Sequence, residues 1–398
     1  MTRFLSSALL ALLCLATTAF ASGSDSDGKP SRLVFGFQIA YGIGLLTAGR
    51  IIDRLGTKRG YALAILIWGA ASMSHSLVTS VAGFFVARIC LGLGEAGNFP
   101  AAIKATSEWF PTEERGLATG LFNSGANFSY FVAPLLVASV TVRWGWRYAF
   151  VATGSMGMVW LVLWLLFPYD RLLRNSKAVI QARVVPPPEK QSYLALLRSK
   201  RAWAFAIGKG LTDGVWWFYL FYLPQFLNRN YGLELRAQYW FLVTVYLVSS
   251  VGSILGGGLS GFLMKRGFSI NAGRKLAMLT MAVCVLPISL VPHLGQTFPS
   301  NPWPATLLLA LAAAAHQGWS ANLFSTTGDM FPSAAVSTVV GFGGAMGAAG
   351  GAIFTAIVKH TLSLHPLFVF GLSSMVYLVA LGIMHLLVPK LGVRVNAA

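Results

Sequence analysis

The sequence predicts an all-α polytopic membrane protein built as two six-helix bundles related by a pseudo-twofold axis along the membrane normal. Three observations predict it. Of the 398 residues, 56% are hydrophobic and only 11% are charged, against about a quarter charged in soluble domains. Apolar runs of ~20 residues, the length that crosses a hydrocarbon core, recur along the whole chain. A short phrase near one-quarter of the chain, TSEWFP from Thr106 to Pro111, returns as TTGDMFP.

The apolar runs lie at roughly 33–52, 61–80, 82–104, 116–140, 147–168, 203–226, 239–263, 276–294, 304–326, 336–358 and 366–388. A further candidate stands at the N-terminus. They are rich in Gly, Ala and aromatic residues and lack period-2 alternation, which favours helices over a membrane barrel. A net charge of +18 is compatible with nucleic acid, but the basic residues alternate between loops. Arg54, Lys58, Arg59, Arg115, Lys265, Arg266, Arg274, Lys275 and the Arg171–Arg201 stretch fall in every second loop, whereas the loop at His75 has no Lys or Arg. That asymmetry places loops 53–60, 108–115, 169–201 and 264–275 in the cytoplasm. Cys14, Cys90 and Cys284 all fall in apolar runs, so buried thiols are expected and no disulfide or metal site.

The longest polar interval, 170–201, contains Pro186, Pro187 and Pro188 and reads as a cytoplasmic linker. It separates an N-terminal bundle, 31–169, from a C-terminal bundle, 202–398. Thr106, Glu108, Phe110 and Pro111 reappear 221 positions later as Thr327, Asp329, Phe331 and Pro332 (327 − 106 = 221). The spacing continues to Gly120 and Gly341, and a second echo relates Gly49–Gly56 to Gly261–Gly267. Internal duplication of one bundle explains both. The first thirty residues differ in style. Arg3, an apolar run and Ala19-Phe20-Ala21 before Ser22 form a signal-peptide-like segment, or else a short, featureless first helix.

An ionisable side chain inside a bilayer is costly and so is a functional candidate. Glu95 lies thirteen residues before Glu108, roughly 20 Å into the membrane at ~1.5 Å per residue. A carboxylate that changes surroundings there can take up and release a proton, and Arg88, two turns earlier on the same face, suits a substrate carboxylate. An Arg88–Glu95 brace holding helices together is the structural alternative. The 221-residue offset maps Glu95 onto His316, so a carboxylate and an imidazole are expected across one central cavity if the bundles face each other. Gln317, Trp319 and Asn322 would add hydrogen-bonding groups and a flat apolar wall. Asp213 follows Lys209 by four residues, with Trp216 and Trp217 beyond. The pair either neutralises itself or serves an anion and a proton, with a Trp stacked on a sugar face. Gln38 with Tyr41, and Asn123 with Asn127, share helix faces and are candidate hydroxyl contacts. At the cytoplasmic mouth, Gly49, Asp53, Arg54, Gly56 and Arg59 are candidates for a gating network. Gly343, Gly347 and Gly351, and Gly252 with Gly256, allow close helix approach.

The run G-x-x-x-D-R-x-G-x-K-R, at Gly49, Asp53, Arg54, Gly56, Lys58 and Arg59, resembles the loop signature of the major facilitator superfamily. ARICLGLGEAGNFPAAIKATSEWFPTEERGLATGLFNSG, KGLTDGVWWFYLFYLPQFL and AHQGWSANLFSTTGDMFP resemble the hexuronate and sugar-acid transporters of its anion:cation symporter branch. The resemblance covers about 31–390. It implies the major-facilitator fold and proton-coupled symport of a small organic anion, a hexuronate or related sugar acid, by alternating access in a bacterial inner membrane. The chain departs from the family at the first helix, where the polar, Asn-Tyr-x-Asp-Arg-like motif is replaced by the signal-like segment. That departure leaves open a non-transporting, sensor-like relative; a carrier of another carboxylate or of an organic phosphate is the other alternative. No G-x-x-x-x-G-K-[ST], H-E-x-x-H, paired-Cys motif or plausible G-x-S-x-G is found. An enzyme, a cofactor, a bound metal and a nucleic-acid partner are therefore not expected; the partners are the anion, protons and the lipid bilayer, with a monomer expected.

Overall fold

The computed structural model describes residues 32–174, 192–234, 237–362 and 365–392. The signal-like segment, 1–30, and most of the expected linker, 170–201, lie outside them. Among the described residues every regular element is helical. In chain order they are α1 (Arg32–Leu55), α2 (Thr57–Ser74), α3 (Val81–Glu95), α4 (Asn98–Trp109), α5 (Thr112–Trp144) and α6 (Trp146–Leu166). Two short helices, α7 (Tyr169–Leu173) and α8 (Tyr193–Arg198), lead to α9 (Lys200–Tyr231) and α10 (Tyr239–Lys265). Then come α11 (Ile270–Val285), a 3₁₀ turn (Leu286–Leu290), α12 (Val291–Thr297), α13 (Trp303–Met330), α14 (Ser333–Thr361) and α15 (Pro366–Leu387).

Each apolar run forms helix, and two runs are broken where the sequence removes backbone donors. The run at 82–104 is two helices: Pro100 has no N–H for the carbonyl of Ala96, and the chain breaks between Glu95 and Asn98. The run at 276–294 passes through the 3₁₀ turn, where Pro287 and Pro292 sit at helix starts. Ser80, Ser199 and Ser269 cap α3, α9 and α11, each accepting from the N–H three residues on, at 3.1, 3.1 and 3.2 Å. Among the described residues five helical stretches are long and apolar enough to cross a membrane on length and composition: α6, α10, the Ile270–Thr297 stretch, α14 and α15. The shortfall from the eleven expected runs has a physical origin. Among the remaining stretches, one is broken beside Glu95, α9 carries Lys209 and Asp213, and α13 is diluted by His316, Gln317, Ser320 and Asn322.

The chain forms two compact units. One comprises the described residues up to Pro111, Gly125–Leu196 and Phe331–Ala345; the other comprises Thr112–Ser124, Leu197–Met330 and the residues from Met346 onward. The exchanged segments, 112–124 and 331–345, start at the ends of the two copies of the repeated phrase, the second taking in its Phe331 and Pro332. Within the first unit, a Cβ at Gly49 would overlap the Ser337 carbonyl oxygen. Within the second, one at Gly116 would overlap that of Gly257. Backbones this close hold each exchanged segment to its neighbours by contact that only glycine permits.

An aromatic cluster forms much of the first unit's interior. Tyr61 meets Trp164 edge-on at 5.2 Å, Trp164 donates its Nε1–H to the Lys58 carbonyl at 2.9 Å, and Tyr61 donates to Asn98 Oδ1 at 2.7 Å. The polar tips of Tyr61 and Trp164 thereby keep partners while their rings fill the core. In the second unit α10 and α13 pack closely: Gly252 lies against Ala314 and Gly256 against Gly318. The Asn322 side chain seals this contact, donating to the Gly256 and Gly318 carbonyls at 2.7 and 2.9 Å. Cys90 is exposed on the protein surface and Cys284 half-buried, both free. The expectation of buried thiols is corrected here, because an apolar run on an outer helix face turns its Cys outward.

Candidate functional site

In the first unit the sharpest feature is Glu95, the last residue of α3. It is 8% exposed, its Oε2 is buried without a hydrogen-bond partner, and none of the ion pairs among the described residues includes it. An unsatisfied carboxylate oxygen in the interior is expensive and stands here at a helix break. Arg88 is 3% exposed on the same helix. The two carboxyl and guanidinium charges act on one another without closing the brace that was the structural alternative. Tyr41 is half-buried and stacked on Phe37 at 5.9 Å, while Gln38 is exposed. On α5, Asn127 of this unit and Asn123, which belongs to the second, are buried, and each retains one unpartnered amide atom: Nδ2 of Asn127 and Oδ1 of Asn123.

The second unit gathers most of its predicted residues in one cluster. Lys209 Nζ lies 2.7 Å from Asp213 Oδ2 and 4.4 Å from the centre of the Phe324 ring, so the i, i+4 pair is formed. Trp216 stacks on His316 with ring centres 5.1 Å apart and planes 9° from parallel. His316 Nδ1 lies 2.7 Å from the Tyr377 hydroxyl. Gln317 is buried. Trp319 is fully buried against Tyr377, edge-on at 5.4 Å, with its Nε1 unpartnered. Trp217 is exposed, and Asn322 is committed to the α10–α13 contact described above.

Asp53, expected in a gating network with Arg54 and Arg59, has other partners. Its Oδ1 meets Lys104 Nζ at 2.8 Å; its Oδ2 accepts from the Thr338 N–H at 2.8 Å and hydroxyl at 2.6 Å, on α14. The carboxylate thus takes both donors of Thr338, the sixth residue of α14, as well as the Lys104 ammonium. Arg54 and Arg59 are exposed, which leaves them the topological role. Gly56 connects α1 to α2 with φ 82°, a left-handed backbone that suits glycine.

Sequence reasoning missed a second network. Asp329 receives Arg115 at 3.2 Å and Arg274 at 2.8 Å, and Arg274, fully buried, also donates to Ser260 at 2.6 Å and the Thr112 carbonyl at 2.7 Å. At the equivalent position in the first unit, Glu108 accepts from Thr57 and Tyr169, both at 2.8 Å. Burial pushes the Glu108 carboxyl above its ordinary value and lowers the Arg115 guanidinium. The signal was present: Glu108 and Asp329 are the acidic residues of the repeated phrase.

A family model described as Major Facilitator Superfamily matches residues 1–355. The chain belongs to the major facilitator superfamily. This facilitator is 31% identical over 361 residues to a hexuronate transporter of Escherichia coli (strain K12), covering 86% of the chain and 82% of the relative. It is also 31% identical over 276 residues to a galacturonate transporter of Dickeya chrysanthemi, covering 66% and 79%. In fold, this superfamily member is similar to the solved proton:xylose symporter XylE, with TM-score 0.71 and 16% identity over 96% of this chain and 94% of that one. Members of this superfamily are multi-pass membrane transporters.

Proposed function

We propose that the protein is a proton-coupled symporter of small organic anions, hexuronates or related sugar acids, working by alternating access. The observation that carries this reading is Glu95: a buried carboxylate with an unpartnered oxygen, two turns from a buried arginine. A carboxyl so placed gains from a proton in one environment and from a cation in another. Occupation of a nearby arginine by a substrate carboxylate changes which of these it meets. Proton binding at Glu95 and anion binding at Arg88 would thereby be linked, which is what symport requires. The polar groups of the second unit, Lys209, His316 and Gln317, supply donors suited to a polyhydroxylated acid, and Trp216 supplies a flat face for its C–H groups. Asp213 shares its charge with Lys209 and is the second candidate for a proton-sensitive carboxylate. Asp53 in the first unit and Asp329 in the second are positioned to latch one conformation and release another.

Similarity to hexuronate and galacturonate transporters favours sugar acids as the anion and a bacterial inner membrane as the site of action. The test is uptake of radiolabelled glucuronate into proteoliposomes with and without an inward proton gradient. Gradient-stimulated uptake, competed by other sugar acids, is expected. Uptake indifferent to the gradient removes proton coupling, and no uptake of any sugar acid removes the substrate class.

A further inference from the structure

Tyr377 stands outside the residues assigned above, yet it governs the geometry of one of them. It lies on α15, fully buried, with its hydroxyl 2.7 Å from Nδ1 of His316 on α13. The imidazole is held twice. Trp216 of α9 covers one ring face in a near-parallel stack, and the phenol grips one ring edge. Trp319 closes on Tyr377 from another side, edge-on at 5.4 Å. Neighbours thus engage both the plane and one edge of the ring.

The direction of the hydrogen bond follows from satisfaction. A buried hydroxyl proton needs an acceptor, and His316 Nδ1 is the hydrogen-bond partner of the Tyr377 hydroxyl. The O–H therefore donates, Nδ1 accepts through its lone pair, and the proton of the neutral ring resides on Nε2. Among the described residues Nε2 itself has no hydrogen-bond partner. The reverse assignment would leave a buried phenol proton without an acceptor and turn the free edge of the ring into an acceptor.

We propose that Tyr377 is a positioning residue for substrate recognition: it fixes His316 as the Nε2–H tautomer and so presents a donor to an oxygen of a polyhydroxylated carboxylate. The substrate class rests on the function proposed above; the tautomer does not. Lys209 on α9 supplies the charge that attracts such an anion, and His316 supplies a neutral, directional donor that distinguishes an oxygen-rich ring from a plain carboxylate.

Two readouts on the full chain test this. Histidine-selective ¹⁵N NMR in lipid nanodiscs, with the His316 signal assigned by its loss in His316→Asn, reads the tautomer of the wild-type protein directly. A protonated Nε2 and bare Nδ1 are expected, with mixed tautomers in Tyr377→Phe; a protonated Nδ1 in the wild type overturns the proposal. In proteoliposomes, Tyr377→Phe removes one hydroxyl and should raise KM for glucuronate roughly three- to tenfold, the weight of a single neutral hydrogen bond. It should add nothing further in a His316→Ala background. Additive losses in the double variant would mean that Tyr377 acts through packing, and would overturn the proposal. Wild-type protein that takes up no sugar acid refutes the recognition role and the transport reading together, and the NMR result then identifies which residue geometry survives.

Discussion

Asp53→Asn removes one charge and keeps the shape and one oxygen able to accept from the Thr338 N–H and hydroxyl. What it leaves behind is Lys104, whose side chain is 4% exposed and whose ammonium lies 2.8 Å from Asp53 Oδ1. An ammonium stranded in the interior costs about 3–5 kcal/mol. Lys104→Met should cost less, because the Asp53 carboxylate keeps the Thr338 N–H and hydroxyl at 2.8 and 2.6 Å. The double variant strands neither charge, and replacing a buried pair by groups of similar volume is often close to neutral. It should therefore unfold within about 1 kcal/mol of wild type, far from the sum of the single losses, whereas independent sites add to within about 0.5 kcal/mol. Surfactant-induced unfolding in detergent micelles, followed by tryptophan fluorescence, measures all four proteins. A double variant as unstable as the two singles combined would refute the assignment of a coupled buried pair.

Two further outcomes follow from the same geometry. Burial holds the Glu108 carboxyl above its ordinary value despite the Lys104 charge and the bonds from Tyr169 and Thr57. The folded state thus binds the proton more tightly, so stability is greatest below the unfolded value and declines as pH rises toward and through the folded one. Melting temperature measured from acid to neutral pH should fall over that window in wild type and less in Glu108→Gln. Gly347→Ala places a Cβ against Asp213 Oδ2 and must shift the carboxylate that Lys209 holds. Uptake should drop about tenfold or more, the scale of 1–3 kcal/mol of overpacking, while size-exclusion behaviour stays that of wild type.

The helices were legible because each apolar run must satisfy its own backbone in lipid, a constraint that acts along the sequence. The duplication was legible too, since Glu108 and Asp329 hold equivalent places in the repeated phrase. Their partners were not. Positive-inside counting accounts for Arg115 and Arg274 as topological charges, and nothing local distinguishes them from Arg54 and Arg59, which the structure leaves exposed. Arg274 meets Asp329 across 55 positions and the Thr112 carbonyl across 162. Such pairings are fixed by helix packing, where the closeness of Gly116 to Gly257 matters more than any motif. Glu95 in one unit and His316 in the other were each accessible through the cost of polar groups in lipid. The helix break beside Glu95 was signalled by Pro100 but is hidden in an otherwise unbroken apolar run. Tyr377 was invisible for another reason: a tyrosine in an apolar span reads as packing until its hydroxyl is found on an imidazole.

Glu95→Gln in proteoliposomes is the most direct measurement, comparing gradient-driven uptake of labelled glucuronate with exchange against internal unlabelled glucuronate. Glutamine keeps the size of the side chain and cannot exchange a proton. Accumulation driven by the proton gradient should vanish while exchange continues. Gradient-driven accumulation at the wild-type level in this variant would contradict the account.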